Sequence, residues 1–218
     1  MYVKICGITS EEDALLSIAM GADALGFIFA PSSRQVSIQT VAAITPRLPP
    51  EIMTFGVFRD DLPERVIDIV GRTGLKGAQL HGQESPEQAG QVAEHVRHVI
   101  KAFAATSARL ASASNYPVDA FLIDSSEPGS GKVFDWRLAE HLPRKRRLFL
   151  SGGLHAGNVA EAIRIVRPWG VDVSSGVEVS PGRKDPIKVR DFVQSAREAE
   201  PEPYESDFDA PYDWQEDQ

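Results

Sequence analysis

Two hydrophobic periods alternate along this chain. Short apolar runs rich in Val, Ile, Leu and Phe recur near 2–6, 23–29, 52–58, 76–81, 97–103, 119–124, 147–151 and 170–175. Their nearly continuous apolar character predicts strands buried on both faces, as in a parallel sheet. Segments of helical period fall between and after them, near 10–20, 37–48, 62–73, 86–95, 107–114, 135–141, 157–167 and 186–197. Several helix starts carry chemical marks: Thr9 or Ser10 precedes Glu11-Glu12, Ser85 precedes Pro86-Glu87, and Asp185 precedes Pro186. Each is a side-chain cap followed by a residue suited to the first turn. Strand and helix alternating eight times predicts an α/β fold closed as a barrel of eight parallel strands, the (β/α)8 or TIM barrel. An open doubly wound sheet needs a dominant G-x-G-x-x-G turn near its start, and Gly7 stands alone there.

Four predicted strands end in polar or glycine-rich tips: Val3-Lys4-Ile5-Cys6-Gly7, Phe121-Leu122-Ile123-Asp124, Leu148-Phe149-Leu150-Ser151-Gly152-Gly153 and Val171-Asp172-Val173-Ser174-Ser175-Gly176. The C-terminal ends of barrel strands are where this architecture keeps its chemistry, so these tips predict one site assembled from distant segments. Side chains alternate along a strand, so Lys4 shares a face with Cys6, Leu122 with Asp124, and Gln79 with His81. Strands one and six lie across the barrel, so Cys6 and Asp124 are expected to face a common ligand from opposite sides.

At 218 residues and 42% hydrophobic, the chain can bury the core of a single domain. No apolar run approaches the ~20 residues that span a bilayer, and the N-terminus does not read as a secretory signal. The single cysteine excludes an internal disulfide framework and fits a reducing cytoplasm. The net charge of −8 is unevenly spread: nine acidic residues and no Lys or Arg follow from Glu198 onward, and residues 1–197 hold 23 basic and 22 acidic side chains. This divides the chain into a nearly neutral barrel, 1–197, and an acidic, proline-containing tail, 198–218, of a composition that favours disorder. Nothing resembles a nucleic-acid footprint, and the remaining histidines, His95, His98, His141 and His155, lack the spacing of metal ligands.

Lys4-Ile5-Cys6-Gly7, Gly26-Phe27-Ile28-Phe29-Ala30-Pro31-Ser32-Ser33-Arg34, Gly56-Val57-Phe58 and Gln79-Leu80-His81-Gly82 continue into Ser151-Gly152-Gly153-Leu154, Ser174-Ser175-Gly176-Val177-Glu178, Pro181-Gly182 and Lys184-Asp185. In this order and spacing the set resembles phosphoribosylanthranilate isomerase, a family of tryptophan biosynthesis. The resemblance covers residues 3 to about 193. One departure is Pro128-Gly129-Ser130-Gly131, where the family usually has Gly-Gly-Thr-Gly; Ser130 keeps the hydroxyl and Pro128 stiffens the loop.

The resemblance implies an Amadori rearrangement of a phosphoribosyl amine of anthranilate, with no metal, nicotinamide or flavin. It implies Asp124 as general acid, which requires a pKa above ~3.9; pairing with Lys4 or Lys132 would act the other way. It implies Cys6 as general base, a thiolate favoured by a nearby positive charge such as Lys4; on residue type alone, Cys6 is a small buried hydrophobe. It implies Arg34 as the clamp on the anthranilate carboxylate, where residue type alone gives a solvated charge. Phosphate is expected on the backbone of Gly152, Gly153, Ser175 and Gly176, with Gly129 and Gly131 in the loop after strand six; tight turns are the plainer account of any one glycine pair. His81 is expected either to shape the sugar site or to act as a structural hydrogen-bonding group, and Asp172 to pair with Lys4 deeper in the barrel. The expected partner is a small phosphorylated substrate, with the protein monomeric or homodimeric. Two alternatives remain at this stage: a sugar-phosphate isomerase of histidine biosynthesis, which uses a carboxylate where Cys6 stands, and a non-catalytic barrel that binds phosphorylated ligands.

Overall fold

A computed structural model of the chain describes residues 1–125, 136 and 146–199. Eight parallel strands close into a barrel in sequence order: β1 Tyr2–Cys6, β2 Ala24–Ile28, β3 Met53–Phe58, β4 Gly77–Leu80, β5 His98–Ala104, β6 Ala120–Asp124, β7 Arg147–Leu150 and β8 Gly170–Val173. β8 pairs back onto β1 in the register Lys4 to Asp172. Every expected strand is present within about two residues, as its doubly buried apolar run requires.

Among the described residues six α-helices pack outside: α1 Glu11–Ala19, α2 Ile38–Ile44, α3 Pro63–Thr73, α4 Pro86–Ala93, α5 Val159–Val166 and α6 Pro186–Glu198. The expected caps are formed: Ser10 accepts from the Asp13 N–H, Ser85 and Gln88 form a capping box, and Asp185 accepts from the N–H groups of Ile187 and Lys188. Two expectations are corrected. The helix expected over 37–48 ends at Ile44, and Thr45–Arg47 continues as a 3-10 turn, because Pro46 lacks the N–H that an α-helical ladder needs. The helix expected over 107–114 is the 3-10 helix Ala108–Asn115; it buries only Ala113, and Ser107 and Ser112 bond to local backbone instead of leaving the ladder undisturbed. The helix expected near 135–141, the glycines Gly129 and Gly131, Lys132 and the tail beyond Ala199 lie outside the described residues.

Strand alternation splits the core in two. Val3, Ile5, Leu25, Phe27, Val99, Phe121, Ile123 and Val171 point outward and pack against the helices. Tyr2, Ala24, Met53, Phe55, Ile100, Ala102, Ala120, Leu122 and Phe149 fill the barrel interior. The next inward positions on β1 and β8 are Lys4 and Asp172, so a charged layer sits above the apolar plug. A hairpin, β9 Glu178–Ser180 and β10 Arg183–Lys184, follows β8 and was not expected from the strand pattern. Its signal is Pro181-Gly182, a turn dipeptide between two short extended pieces.

Candidate active site

The C-terminal ends of the strands surround a cavity of about 650 Å³. Its walls include Cys6 at the end of β1, Arg34 in the loop after β2, Gln79 and His81 at β4, Asp124 at β6, Ser151, Gly152 and Gly153 after β7, and Ser174 and Ser175 after β8. Cys6 and Asp124, buried at 5% exposure each, thus meet one cavity from different strands, as their inward positions require.

Cys6 stands over the charged layer. Lys4 is fully buried and its Nζ donates to Asp172 Oδ1 at 2.8 Å. Burial opposes the ammonium, but Asp172 and Cys6 more than offset this and hold the Lys4 pKa above its ordinary value. Burial also pushes the Cys6 thiol up; Lys4 opposes that rise, Asp172 adds to it, and Lys184 opposes it more weakly. The charge expected beside Cys6 is therefore present, and desolvation outweighs it.

Asp124 does not pair with Lys4. Its Oδ1 accepts from the Ser125 N–H at 2.7 Å, and its Oδ2 lies 3.4 Å from His81 Nε2. The amide Nε2 of Gln79 is 3.2 Å from His81 Nδ1. With that amide donating, the ring hydrogen sits on Nε2, the nitrogen nearer the carboxylate, without forming a hydrogen bond to it. Buried Gln79 Oε1, His81 Nε2 and Ser174 Oγ have no hydrogen-bond partner among the described residues. An unpaired buried polar atom costs about 1–3 kcal/mol, so a polar ligand in the cavity gains by meeting them.

Arg34 is buried, and its fork is largely spent within the protein. Nε donates to Glu178 Oε1 at 2.8 Å and Nη2 donates to Oε2 at 2.7 Å. This leaves the Nη1 edge for a ligand carboxylate, a narrower grip than the free fork expected from sequence. Burial works to raise the Glu178 carboxyl; the Arg34 and Lys184 donors overcome it and hold the group below the ordinary carboxylate value. Lys184 Nζ bridges Glu178 Oε1 at 3.0 Å and the carbonyl oxygen of Cys6 at 2.6 Å. The hairpin is thereby tied to both the clamp and the end of β1. Gly7 makes room: a Cβ there would lie 2.6 Å from Arg34 Cδ and 2.7 Å from Ser174 Oγ. Glu178 and Lys184 carried no role in the sequence reading, because Arg34 and Cys6, which they hold, lie far away in the chain.

The wall after β7 and β8 is mostly backbone. Gly152 and Gly153 adopt φ of 91° and 66°, which L side chains rarely adopt. Ser175 joins them on the wall, while Gly176 stands behind it, where a Cβ would overlap the Leu154 carbonyl oxygen. After β8 the chain makes a three-residue 3-10 turn, Ser175–Val177. Behind the β4 end, Lys101 Nζ donates to Glu84 Oε2 at 2.7 Å and to the Gly82 carbonyl oxygen at 2.8 Å. Glu84 also accepts from the N–H groups of Asp60 and Gly82, fixing the loop that follows His81. Its sequence signal is a lysine inside the apolar run Val99-Ile100-Lys101-Ala102-Phe103.

Residues 3–195 match the family described as N-(5'phosphoribosyl)anthranilate (PRA) isomerase. The N-(5'-phosphoribosyl)anthranilate isomerase of Desulforudis audaxviator is 50% identical over 204 residues, spanning 90% of this chain and 98% of that protein. The Thermus thermophilus phosphoribosyl anthranilate isomerase structure superposes with a TM-score of 0.86 at 40% identity, covering 91% of this chain and 99% of that one. A phosphoribosyl anthranilate isomerase in complex with reduced 1-(o-carboxyphenylamino)-1-deoxyribulose 5-phosphate superposes with a TM-score of 0.81 at 42% identity, over 91% and 99% of the two chains. With strand ends, barrel and sequence in agreement, the chain belongs to the N-(5'-phosphoribosyl)anthranilate isomerase family.

Proposed function

We propose that this chain converts N-(5'-phosphoribosyl)anthranilate to 1-(2-carboxyphenylamino)-1-deoxyribulose 5-phosphate, a step of tryptophan biosynthesis, with Asp124 as general acid and Cys6 as general base. The observation that carries this reading is the placement of both groups on one cavity, reached from β1 and β6. Asp124 gives its proton to the furanose ring oxygen as the C1′–O bond breaks and the anthranilate nitrogen lone pair forms a C1′=N bond. The Cys6 thiolate takes the C2′ proton, and the released electron pair forms C1′=C2′ and neutralises the iminium nitrogen. The resulting enol loses its O2′ proton and gains one at C1′; routed through the Asp124 carboxylate and the Cys6 thiol, this step resets both groups.

Three supports surround this pair. Arg34 offers its Nη1 edge to the anthranilate carboxylate, the bare backbone at Gly152, Gly153 and Ser175 receives the phosphate, and His81 with Gln79 meets the sugar hydroxyls. Gly129 and Gly131, outside the described residues, belong to the same assignment by their place in the sequence after β6. The partner is a small phosphorylated molecule. Among the described residues no helix is long and apolar enough to cross a membrane.

The test is the fluorescence of the anthranilate adduct, which is lost on turnover. Cys6→Ser and Asp124→Asn are each expected to lower kcat by about 10²–10⁴-fold, with product binding retained by Asp124→Asn. Turnover near that of the unmodified protein in either variant removes that residue from the mechanism. Turnover of the histidine-pathway substrate alone overturns the choice of substrate.

A further inference from the structure

Lys4 and Cys6 sit one inward step apart on β1, and their register partners on β2 are Ala24 and Gly26. Two small residues therefore leave an aisle along the inner face of β2, and the lysine side chain runs up it. Its ammonium reaches the level of Gly26, the partner of Cys6. A Cβ placed on Gly26 would lie 2.7 Å from Cys6 Sγ, 3.0 Å from Lys4 Nζ and 3.3 Å from Cys6 Cα. Sulfur and ammonium thus border the same vacant point. Asp172, the β8 partner of Lys4, anchors the ammonium from the far side at 2.8 Å.

We propose that Gly26 is a positioning residue of this site: its missing side chain leaves the space in which the Asp172-anchored Lys4 ammonium meets the Cys6 thiol and favours its ionisation. This rests on Cys6 acting as the base. The charged and titratable groups around Cys6 are Lys4 on β1, Asp172 on β8, Lys184 on β10, Arg34 after β2, and Asp124 and His81 on other walls of the cavity. Among the cations, Lys4 acts most strongly on the thiol, and its effect exceeds the opposing one of Asp172. The pair is therefore a buried dipole with its positive end toward sulfur, in surroundings where charge is poorly screened. A methyl group at residue 26 keeps every charge in the protein but displaces the two atoms that must meet.

Cys6 is the single cysteine of the chain, so its alkylation reports one group. The experiment follows the rate of iodoacetamide modification of the intact protein against pH, together with kcat, KM and Tm. Gly26→Ala is expected to raise the titration midpoint by about one pH unit, a tenfold loss of thiolate at neutral pH. Its kcat falls while KM stays within about twofold, because no group assigned to substrate binding is altered. Lys4→Met/Asp172→Leu removes the dipole without leaving an unpaired buried charge, and it is expected to raise the midpoint in the same direction; it carries the test if Gly26→Ala does not fold. A midpoint unchanged from the unmodified protein in either folded variant overturns the proposal, whatever happens to Tm. Alkylation is read without turnover, which separates two failures. A raised midpoint beside an active Cys6→Ser variant overturns the base assignment and with it the catalytic meaning of Gly26. An unchanged midpoint beside an inactive Cys6→Ser variant overturns the role of Gly26 alone.

Discussion

Gln79 shows how a residue without acid–base chemistry of its own can direct a neighbour that has it. Its amide meets His81 Nδ1 at 3.2 Å, and the opposite ring nitrogen lies 3.4 Å from Asp124. Replacing Gln79 with Leu removes the donor, so the ring hydrogen is free to move to Nδ1 and present a lone pair to the carboxylate. The variant is expected to lose about tenfold in kcat, roughly 1.4 kcal/mol, and the ¹⁵N shifts of His81 should report the exchanged tautomer. Unchanged shifts would remove Gln79 from this role. At this scale the sequence was informative where chemistry and strand position coincide. Cys6 and Asp124 both stand at strand ends, and the pairing of Lys4 with Asp172 follows from alternation. The partner of Arg34 was not legible, because Glu178 lies 144 positions away and reaches it only through a hairpin.

The β9–β10 hairpin is the element that joins clamp to catalytic strand. Glu178 binds Arg34 and Lys184, and Lys184 binds the Cys6 carbonyl oxygen. Removing one member of such a buried set typically costs about 3–5 kcal/mol. Glu178→Leu is therefore expected to lower Tm markedly and to raise KM through a loosened Arg34. The milder Glu178→Gln keeps an acceptor for Arg34 and should separate the effect on KM from that on folding. The sign of the pH dependence follows from the depressed carboxyl. Its stabilising contribution is present above the ordinary value of 4.5 and is lost as pH falls through the lower folded value. Acid unfolding should accordingly be shallower in Glu178→Gln, and an unchanged acid limb would argue against this network. Most elements were legible because apolar period and caps agree with the final packing. The 107–114 segment was misread because its alanines, Arg109 and Leu110 carry helical composition without the buried stripe that an α-helix needs.

Across the whole molecule, the barrel registers eight strands so that inward positions form an apolar plug, a charged layer and a reactive rim. The segment from 198 onward is acidic and proline-containing, a composition that offers little apolar surface to bury. Removal of residues 201–218 is expected to leave both turnover and Tm nearly unchanged, as measured by steady-state kinetics and a thermal melt; a large loss of either would assign the segment to the folded body. The charged layer has a consequence for how the chain comes to be reactive. Lys4 belongs to the first strand and Asp172 to the last, and their salt bridge lies on the seam that joins them. A nascent chain that stops short of the eighth strand already carries its cysteine and its lysine, yet has nothing to hold the ammonium in place and no dry surroundings to make it matter. The pairing of sulfur with ammonium then arrives all at once, with ring closure, and the drop in alkylation of that sulfur as it is buried during refolding would date the moment.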